Sequence, residues 1–582
     1  MTAATGGGLV ADELARQGVT TLFTLCGGHI SPILVAAKAR GIQVVDVRDE
    51  ATAAFAADAV SRLGGAPGVA AVTAGPGVTN TVTALENARL AQSPLVLLGG
   101  ATATILKGRG ALQDIDQMAL VRPHVKWAAA VRCVADLAPA VARAFDEARG
   151  GVPGPTFVEC PVDLLYPESV VREWSLTGGM RQTTTLADRA TRWYLDRHLR
   201  RLFAAGPRPP RRTSRPEPRT AHAALSHLAD RAAAAVRRAS RPVLLIGSQA
   251  LASEAEPAAL AEAVRRLGVP VFLSGMARGL LGRTWEGQFR HQRKAALREA
   301  DCVVLAGAPC DFRLDYGRHI NRRAVVIAAN RSAAELAKNR RPAIGAVTPP
   351  DAFLVALADR LAGGRPDWSA WSCALAEREA ARDAEIARLA AEPAPPVNPL
   401  ALCQAIERTL PEDAVLVADG GDFVATASYV VRPRGPLSWL DPGVFGTLGV
   451  GAGFILGAHA SRPGAEIWAL FGDGALGFSL AEFHTFARHR VPLVAIVGND
   501  GKWAQIARDQ VEVLGDDVGT SLGRADYHRA VEGLGAGGLL LDDPARIDET
   551  LAAARATARA GTPVLVNALI GDTAFRKGSI SL

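Results

Sequence analysis

Short apolar runs alternate with helical patterns along the first third of the chain. Runs of about four to eight apolar residues between turn residues are typical of buried parallel strands. Such runs occur at Thr21–Leu25, Gln43–Val47, Val69–Thr73 and Leu95–Leu98, and an alanine-rich helical pattern covers Ala51–Leu63. This alternation predicts an α/β domain built on a parallel sheet.

The same alternation returns twice further along the chain. Predicted strands of the later units lie at Val243–Ile246, Val269–Leu273, Cys302–Ala306, Ala324–Ala328, Ala414–Ala418, Ile467–Leu470, Leu493–Val497 and Val564–Ala568. We therefore expect an α/β fold of three consecutive doubly wound parallel-sheet domains, at residues 1–175, 222–365 and 398–582. A basic linker at 176–221 and a helical linker at 366–397 join them. Their similar size suggests internal duplication.

The positive charge of the chain is concentrated in one linker. Residues 181–219 hold eleven arginines against three acidic residues, a net charge of +8 in a chain whose total is +7. A helix with an apolar face is predicted around Trp193–Phe203, and disorder in the proline-rich stretch 207–218. A linker explains this charge better than a nucleic-acid-binding face, which would make binding strongly salt-dependent.

Cysteine usage and hydropathy indicate a soluble cytoplasmic protein. The seven cysteines form no CxxC pair, and their odd number argues against a disulfide framework. No signal-peptide pattern is visible at the N-terminus. The uncharged run 442–461 is long enough to span a bilayer, but it holds six glycines. We expect a tightly packed cofactor loop there and no membrane partner.

The stretch from Gly472 to Gln510 carries the clearest chemical signal. A predicted strand leads into Gly472-Asp473-Gly474-Ala475, and the next strand ends in Asn499-Asp500. Parallel sheets bind ligands at the carboxyl ends of their strands, and two carboxylates there suit Mg²⁺ or Ca²⁺. The small residues around Asp473 allow main-chain N–H groups to approach a phosphate. The alternative is an ordinary acidic cap at a strand-to-turn junction.

Four motifs, taken together, resemble one enzyme family. Asp49-Glu50 before a helix, TAGPGVTN at 73–80, GTLGVGAG at 446–453 and GDG…ND at 472–500 occur in its order and spacing. The whole chain resembles thiamine-diphosphate-dependent enzymes of the acetolactate synthase and 2-hydroxyacyl-CoA lyase group. Longer stretches, among them GMARGLLG and GNDGKWAQIARDQV, are similar to the lyase branch also described as acetolactate synthase-like. The resemblance implies a pyrimidine-binding domain, a central domain and a diphosphate-binding domain.

The resemblance implies roles for residues at the cofactor rings. Glu50 matches the glutamate that supports the reactive tautomer of the aminopyrimidine, although an acid at a helix N-terminus is its plainer explanation. Leu448 matches the bulky residue under the bent cofactor, and would otherwise be a core leucine. Cofactor contacts are also implied for Pro76, Asn80, Gly421, Asp422 and Phe423.

The resemblance also implies a magnesium and diphosphate site. Asp473, Asp500 and the carbonyl of Lys502 would bind Mg²⁺, while Gly472, Gly474 and Ala475 would lie at the diphosphate. The family usually has Asn-Asn where this chain has Asn499-Asp500. Aspartate keeps a hard oxygen ligand and adds a negative charge, so Mg²⁺ is still expected to bind.

Several residues are implied to face the substrate. His29 follows the first strand, where a histidine suits proton transfer to or from a substrate alkoxide; a lone histidine is as often structural. Gln113 matches a glutamine of the reaction chamber. Gln505 and Ile506 follow the metal loop and are implied to contact cofactor or substrate.

Two activities of this group use the same residues. The first is cleavage of a 2-hydroxyacyl-CoA to an aldehyde and formyl-CoA, and the second is condensation of pyruvate with a 2-keto acid. Asn330-Arg331 follows a central-domain strand where synthases commonly have an acid, and arginine suits a phosphorylated ribose such as that of CoA. Lys338, Arg340 and Arg341 add nearby charge, although they would equally form a solvated face. The sequence thus favours the lyase.

Three other functions remain alternatives. They are an FAD-containing oxidase, with FAD in the central domain, a non-catalytic binding protein, and a nucleic-acid-binding protein that uses residues 181–219; none is favoured. The family also implies a homodimer or homotetramer with active sites at the subunit interface.

Overall fold

The computed structural model describes residues 5–177, 185–204, 219–252 and 256–577. The chain divides into two compact units, Met1–Arg215 with Ala452–Ser461, and Pro216–Gly451 with Arg462–Leu582. The proline-rich stretch 207–218, predicted to be disordered, lies outside the described residues.

Three six-stranded parallel sheets form the framework and confirm the predicted α/β fold. The strands of the first sheet are β1 (Thr21–Leu25), β2 (Gln43–Asp46), β3 (Gly68–Val72), β4 (Leu95–Ala101), β5 (Trp127–Ala130) and β6 (Thr156–Pro161). Those of the second are β7 (Pro242–Ile246), β8 (Val271–Leu273), β9 (Gln288–Phe289), β10 (Cys302–Ala306), β11 (Val325–Asn330) and β12 (Ile344–Val347). Those of the third are β13 (Val415–Asp419), β14 (Trp439–Leu440), β15 (Ile467–Gly472), β16 (Leu493–Asn499), β17 (Gly537–Leu541) and β18 (Val564–Leu569).

Helices connect the strands in both units. Those of the first unit are α1 (Gly6–Arg16), α2 (Ser31–Ala39), α3 (Glu50–Gly64), α4 (Pro76–Thr79), α5 (Val82–Ala91), α6 (Gln117–Val121), α7 (Leu137–Arg149), α8 (Val162–Leu165), α9 (Glu168–Thr177), α10 (Leu186–Phe203) and, from Ala452 onward, α19 (Gly451–Ser461). Those around the second sheet are α11 (Arg219–Arg238), α12 (Pro257–Leu267), α13 (Arg293–Glu299), α14 (Ala333–Leu336), α15 (Pro350–Leu361) and α16 (Ser369–Ala391). Those around the third are α17 (Pro399–Thr409), α18 (Asp422–Val430), α20 (Asp473–Ser479), α21 (Phe483–Arg488), α22 (Ala504–Leu514), α23 (Tyr527–Glu532) and α24 (Ile547–Arg559).

Strand order reverses at a central position in each sheet, and the first and third sheets also have their last two strands inverted at one edge, β6-β5 and β18-β17. The first sheet has the order β2-β1-β3-β4-β6-β5, and the third repeats it as β14-β13-β15-β16-β18-β17. The second differs, with the order β12-β11-β10-β7-β8-β9. The reversals leave crevices at the carboxyl ends of β1 and β3, of β7 and β10, and of β13 and β15, where parallel sheets bind their ligands. The shared strand order is the part of the structure consistent with internal duplication.

The sequence-based prediction recovered central strands better than edge strands. Central strands such as β3, β4 and β10 are buried along their whole length and therefore read as apolar runs. The edge strands β5 and β12 were missed because their residues are only partly buried or alternate with exposed ones. In the basic linker, α10 confirms the predicted helix, with Leu199 and Leu202 buried.

The uncharged run 442–461 is a loop only in its first half. From Gly451 it forms α19, so the predicted loop is wrong for that part. Gly453 and Gly457 bring α19 against α3, because a Cβ at Gly457 would lie 2.4 Å from the carbonyl oxygen of Ala56. Among the described residues, no helix has the length and apolar character needed to cross a bilayer.

Replacement of Gly457 by alanine should destabilise the packing of α19 on α3. The added methyl group has no space, and overpacking of this kind lowers the free energy of unfolding by about 1–3 kcal/mol. A Cβ at Gly64, at the end of α3, meets open space, so Gly64→Ala is a matched control. It should be neutral or stabilising by less than about 1 kcal/mol. Calorimetry of the two purified variants measures their melting temperatures. Equal values for Gly457→Ala and Gly64→Ala would contradict the close packing of α19 on α3.

Candidate active site

Glu50 is a buried carboxylate at the crevice of the first sheet. Helix α3 begins at this residue because the Asp49 side chain accepts a hydrogen bond from Ala51 N (2.8 Å). Glu50 is only 6% exposed, and its Oε2 accepts a hydrogen bond from Asn80 Nδ2 (2.9 Å). A Cβ at Gly77 would lie 3.4 Å from Glu50 Oε1, so the turn after β3 runs directly over the carboxylate. Burial and this partner go beyond what a helix N-terminal acid requires.

His29 lies at the end of β1, close to Thr73 at the end of β3. Its Nδ1 is 3.2 Å from Thr73 Oγ1. Burial lowers the pKa of His29, which keeps the imidazole neutral near pH 7 and able to accept a proton. Thr73 was not singled out from the sequence, where it is one more residue of an apolar run.

Two glutamines hold the loops around this crevice. Gln113 has a left-handed backbone (φ 62°), and its main chain packs against Gly75, where a Cβ would lie 2.7 Å from Gln113 O. Gln117 is buried; its Oε1 accepts from Gly75 N (3.2 Å) and its Nε2 donates to Gly100 O (2.8 Å). Gln117 therefore ties the turn after β3 to the end of β4. Sequence reasoning missed it, although it stands in the same GALQDIDQ stretch as Gln113.

Leu448 lies at the crevice of the third sheet. Its side chain occupies the space that a Cβ at Gly420 (φ +54°) would need, at 2.1 Å from Leu448 Cδ2. Asp419, fully buried at the end of β13, accepts hydrogen bonds from Gly449 N (3.1 Å) and Gly451 N (2.8 Å). The first and third residues after Leu448 are thus held by one carboxylate. Asp419 was also missed, since an acid ending a strand reads as a turn residue.

Asp473 and Asp500 form a pair of carboxylates at the ends of β15 and β16. Asp473 is 3% exposed and accepts hydrogen bonds from Gly474 N and Gly501 N, both at 2.9 Å. Burial, followed by the negative charge of Asp473, raises the pKa of Asp500 to about 7. A buried carboxylate beside a partly buried one whose ionisation it opposes fits a divalent cation, which would neutralise both. Lys502 N donates to Asp500 Oδ1 (3.2 Å), placing the Lys502 main chain beside the pair.

Three predicted cofactor residues have other contacts in the protein. A Cβ at Gly474 would collide with the Trp503 ring (2.3 Å), so Gly474 allows an indole to approach. Phe423 is buried under Gly498 in the core of the third sheet. The Asp422 carboxylate pairs with Arg508 (2.5 Å). These contacts explain the residues structurally, and their cofactor roles stay predictions.

The remaining predicted residues lie on elements that follow strand ends of the first and third sheets. In the first unit, Pro76 opens α4. In the second, Gly421 (φ +96°) packs on Gly472 and Ala475 is buried beside it. Gln505 is partly buried on α22, whereas Ile506 is 51% exposed.

The basic cluster of the central domain is mostly engaged within the protein. Arg331 lies 3.7 Å from Asp351, and Lys338 binds Glu335 at 2.7 Å. Arg340 donates to the carbonyls of Ile320 and Asn321, both at 2.8 Å. Because these cations already have partners in the protein, they are less available to bind a CoA phosphate than the sequence suggested.

The stability of the protein should depend on pH through Asp419. Burial raises its pKa from 3.8 to about 7, so between these values the folded chain holds a proton that the unfolded chain has lost. The free energy of unfolding therefore falls as the pH rises through this interval, by up to about 4 kcal/mol. In metal-free protein, the melting temperature should fall less steeply with rising pH in Asp419→Asn than in the wild type. Asp413→Asn, at an exposed position, should keep the wild-type slope; identical slopes in all three would contradict the assignment.

Three models of one family match this chain. They are described as "Thiamine pyrophosphate enzyme, N-terminal TPP binding domain" at residues 4–120, "central domain" at 229–357 and "C-terminal TPP binding domain" at 419–568. Thiamine pyrophosphate is the same compound as thiamine diphosphate. The matches contain Glu50 in the first model and Asp473 and Asp500 in the last.

Curated relatives match along nearly the whole chain. The 2-hydroxyacyl-CoA lyase 2 of Bos taurus is 49% identical over 99% of this chain and 92% of its own length. The protein of that name from Homo sapiens is 48% identical, with the same coverage. The acetolactate synthase large subunit IlvG of Mycobacterium tuberculosis is 35% identical over 97% of this chain and 95% of its own. The chain therefore belongs to the thiamine pyrophosphate enzyme family.

Proposed function

We propose that the protein is a thiamine-diphosphate- and Mg²⁺-dependent lyase that cleaves a 2-hydroxyacyl-CoA into an aldehyde and formyl-CoA. The observation that carries the cofactor chemistry is the buried Glu50 carboxylate, bound to Asn80 at the crevice of the first sheet. The substrate assignment rests on the relatives, because identity to the 2-hydroxyacyl-CoA lyases exceeds identity to the acetolactate synthase by 14 percentage points, 49% against 35%.

Residues of both crevices would hold the cofactor. Glu50 would bind the pyrimidine ring, with Pro76 and Asn80 beside it, and Leu448 would support the bend between the rings. Asp473, Asp500 and the Lys502 carbonyl would bind Mg²⁺ at the diphosphate, with Ala475 donating its N–H. When bound, thiamine diphosphate supplies a nucleophilic carbon and an electron sink for cleavage next to a carbonyl.

His29 would accept the proton that the substrate hydroxyl group loses during cleavage. Cleavage breaks the bond between the thioester carbonyl carbon and the hydroxyl-bearing carbon, and the hydroxyl must lose its proton as the aldehyde forms. A neutral imidazole held by Thr73 at 3.2 Å suits that transfer. Gln113 and Gln505 would line the same chamber.

We also propose a homodimer or homotetramer. In this family the Glu50 domain of one chain and the diphosphate domain of another share each cofactor. Sedimentation of the purified protein measures its oligomeric state, and an active monomer would contradict the proposed homodimer or homotetramer.

The acetolactate synthase reaction is the second candidate, supported by the relative from Mycobacterium tuberculosis. Purified protein with thiamine diphosphate and Mg²⁺ is given pyruvate or a 2-hydroxyacyl-CoA. We expect formyl-CoA and aldehyde from the second substrate. Acetolactate from pyruvate, without formyl-CoA from the thioester, would reverse the assignment. A yellow protein that retains FAD would favour an oxidase.

Replacement of Glu50 by glutamine should abolish most of the activity. Glutamine keeps the acceptor for Asn80 but cannot exchange a proton, so kcat should fall by about 10²–10⁴-fold. Formyl-CoA release measures the rate. Glu147→Gln, in a solvent-accessible pair with Arg143, is the matched control and should retain full activity. Full activity of Glu50→Gln would overturn the catalytic role.

Replacement of Asp500 by asparagine should preserve Mg²⁺-dependent activity. The amide keeps a hard oxygen but lacks the charge, so we expect weaker Mg²⁺ activation, by about tenfold, and a similar kcat at saturating Mg²⁺. Titration of activity with Mg²⁺ tests this. Asp516→Asn, at an exposed position, is the control. Complete inactivity at high Mg²⁺ would show that the carboxylate does more than bind metal.

A further inference from the structure

One buried side chain joins the two main-chain segments that contact Glu50 and His29. Gln117 is 2% exposed and is the first residue of α6, whose start Asp116 caps by accepting a hydrogen bond from Ala119 N (3.0 Å). The cap fixes the main chain from which the Gln117 side chain projects. That side chain uses its oxygen on one segment and its nitrogen on the other.

The oxygen of the Gln117 side chain holds the start of the turn over Glu50. Gly75 N donates to Gln117 Oε1 (3.2 Å), and Gly75 has a backbone conformation (φ +63°, ψ −109°) that favours glycine. Thr79 N donates to Gly75 O (3.0 Å) and closes the four-residue helix α4. Asn80 follows directly and donates to Glu50 Oε2 (2.9 Å). Because this unit is so short, a shift of Gly75 would move the Asn80 amide relative to the Glu50 carboxylate.

The nitrogen of the same side chain holds the end of β4 beside His29. Gln117 Nε2 donates to Gly100 O (2.8 Å). The pairing of β3 with β4 ends at Val72 and Gly99, so Gly100 lies just beyond the last pair. A Cβ at Gly100 would lie 2.7 Å from His29 Cβ, which shows that His29 packs directly on this main chain. The position of the imidazole therefore depends on where Gly100 is held.

The plainer role of Gln117 is to satisfy two buried main-chain groups. Its location favours a further role, because each partner is the neighbour of a different candidate catalytic residue. Gly75 begins the turn that binds Glu50, and Gly100 packs on His29. Misplacement of a reacting group by about 1 Å can lower a rate about 10²-fold, so an amide that holds both neighbours affects the chemistry.

We propose that Gln117 is a positioning residue that holds Glu50 and His29 in a fixed arrangement across the crevice of the first sheet. It acts through the main chain of Gly75 and Gly100. The inference rests on the proposed function for the roles of Glu50 and His29. Loss of the two hydrogen bonds should therefore slow the chemical step more than it weakens substrate binding.

Replacement of Gln117 by methionine tests the role, because methionine has a similar length and forms neither hydrogen bond. Formyl-CoA release should show a kcat lower by about ten- to a hundredfold, with KM for the 2-hydroxyacyl-CoA within about threefold of wild type. Gln17→Met is the matched control. Gln17 also donates once, to Glu13 (2.8 Å), and accepts once, from Arg149 (3.3 Å), but it precedes the amino end of β1. Its loss should leave kcat unchanged.

A second variant and a double variant separate positioning from a general loss of stability. Gln117→Glu keeps the acceptor for Gly75 N, so its kcat should lie between those of Gln117→Met and the wild type; it also carries the test if Gln117→Met does not fold. In a Glu50→Gln background, Gln117→Met should lower kcat at least about threefold less than it does in the wild type, because one of its two targets is already lost. A purely structural role predicts the same loss in both backgrounds.

Titration of His29 in cofactor-free protein gives a measurement that is independent of turnover. Burial lowers the pKa of His29. In Gln117→Met the end of β4 is released, so the imidazole should be better solvated and its pKa should rise towards the ordinary value. Gln17→Met should leave the pKa of His29 unchanged. NMR of isotope-labelled histidine measures both, with the His29 signal assigned from His29→Asn.

A wild-type kcat in both Gln117 variants would overturn the positioning role and leave the lyase intact. An unchanged His29 titration in Gln117→Met, or an equal loss of kcat in Gln17→Met, would overturn it as well. Absence of formyl-CoA from the wild-type protein would overturn the lyase instead, and the His29 titration would still decide whether Gln117 positions this side of the crevice.

Discussion

The central reversal of strand order in each parallel sheet determines where the candidate site residues of this protein lie. At each reversal, connections leave in opposite directions and the carboxyl ends of two neighbouring strands stay uncovered. Glu50 follows β2 and contacts the turn after β3, and Asp473 follows β15, so both lie beside such ends although they are hundreds of residues apart. The first and third sheets share one strand order, and the candidate cofactor residues lie on those two. The second sheet has another order and carries the cationic groups.

Burial of charge is the second constraint, and the protein meets it in different ways. Glu50 accepts a hydrogen bond from the neutral amide of Asn80. Asp419 is satisfied by two main-chain N–H groups, and in return holds the turn that carries Leu448. The negative charge of Asp473 opposes the ionisation of Asp500, and the proposed Mg²⁺ would neutralise both.

Close packing of glycines shapes the loops that carry these groups. Leu448 uses the space beside Gly420, and Trp503 uses the space beside Gly474. In both cases the missing Cβ admits a large side chain. A glycine-rich motif in this chain thus serves internal packing, besides the approach to a phosphate that is proposed for it.

The sequence by itself determined the α/β class, the central strands, the acids that end them and the family resemblance. Each is encoded within a few residues, by an apolar run, a helix pattern or a short motif. Tertiary structure decided the rest. Edge strands such as β12 were not predicted because one of their faces is exposed. Helix α19 was not predicted because its apolar residues pack on α3, in another part of the chain. Thr73, Gln117 and Asp419 become significant only through partners on other elements. Whether Arg331 is available for an anion depended on the carboxylate that the fold brought beside it, Asp351, and neighbours distant in sequence leave no local pattern.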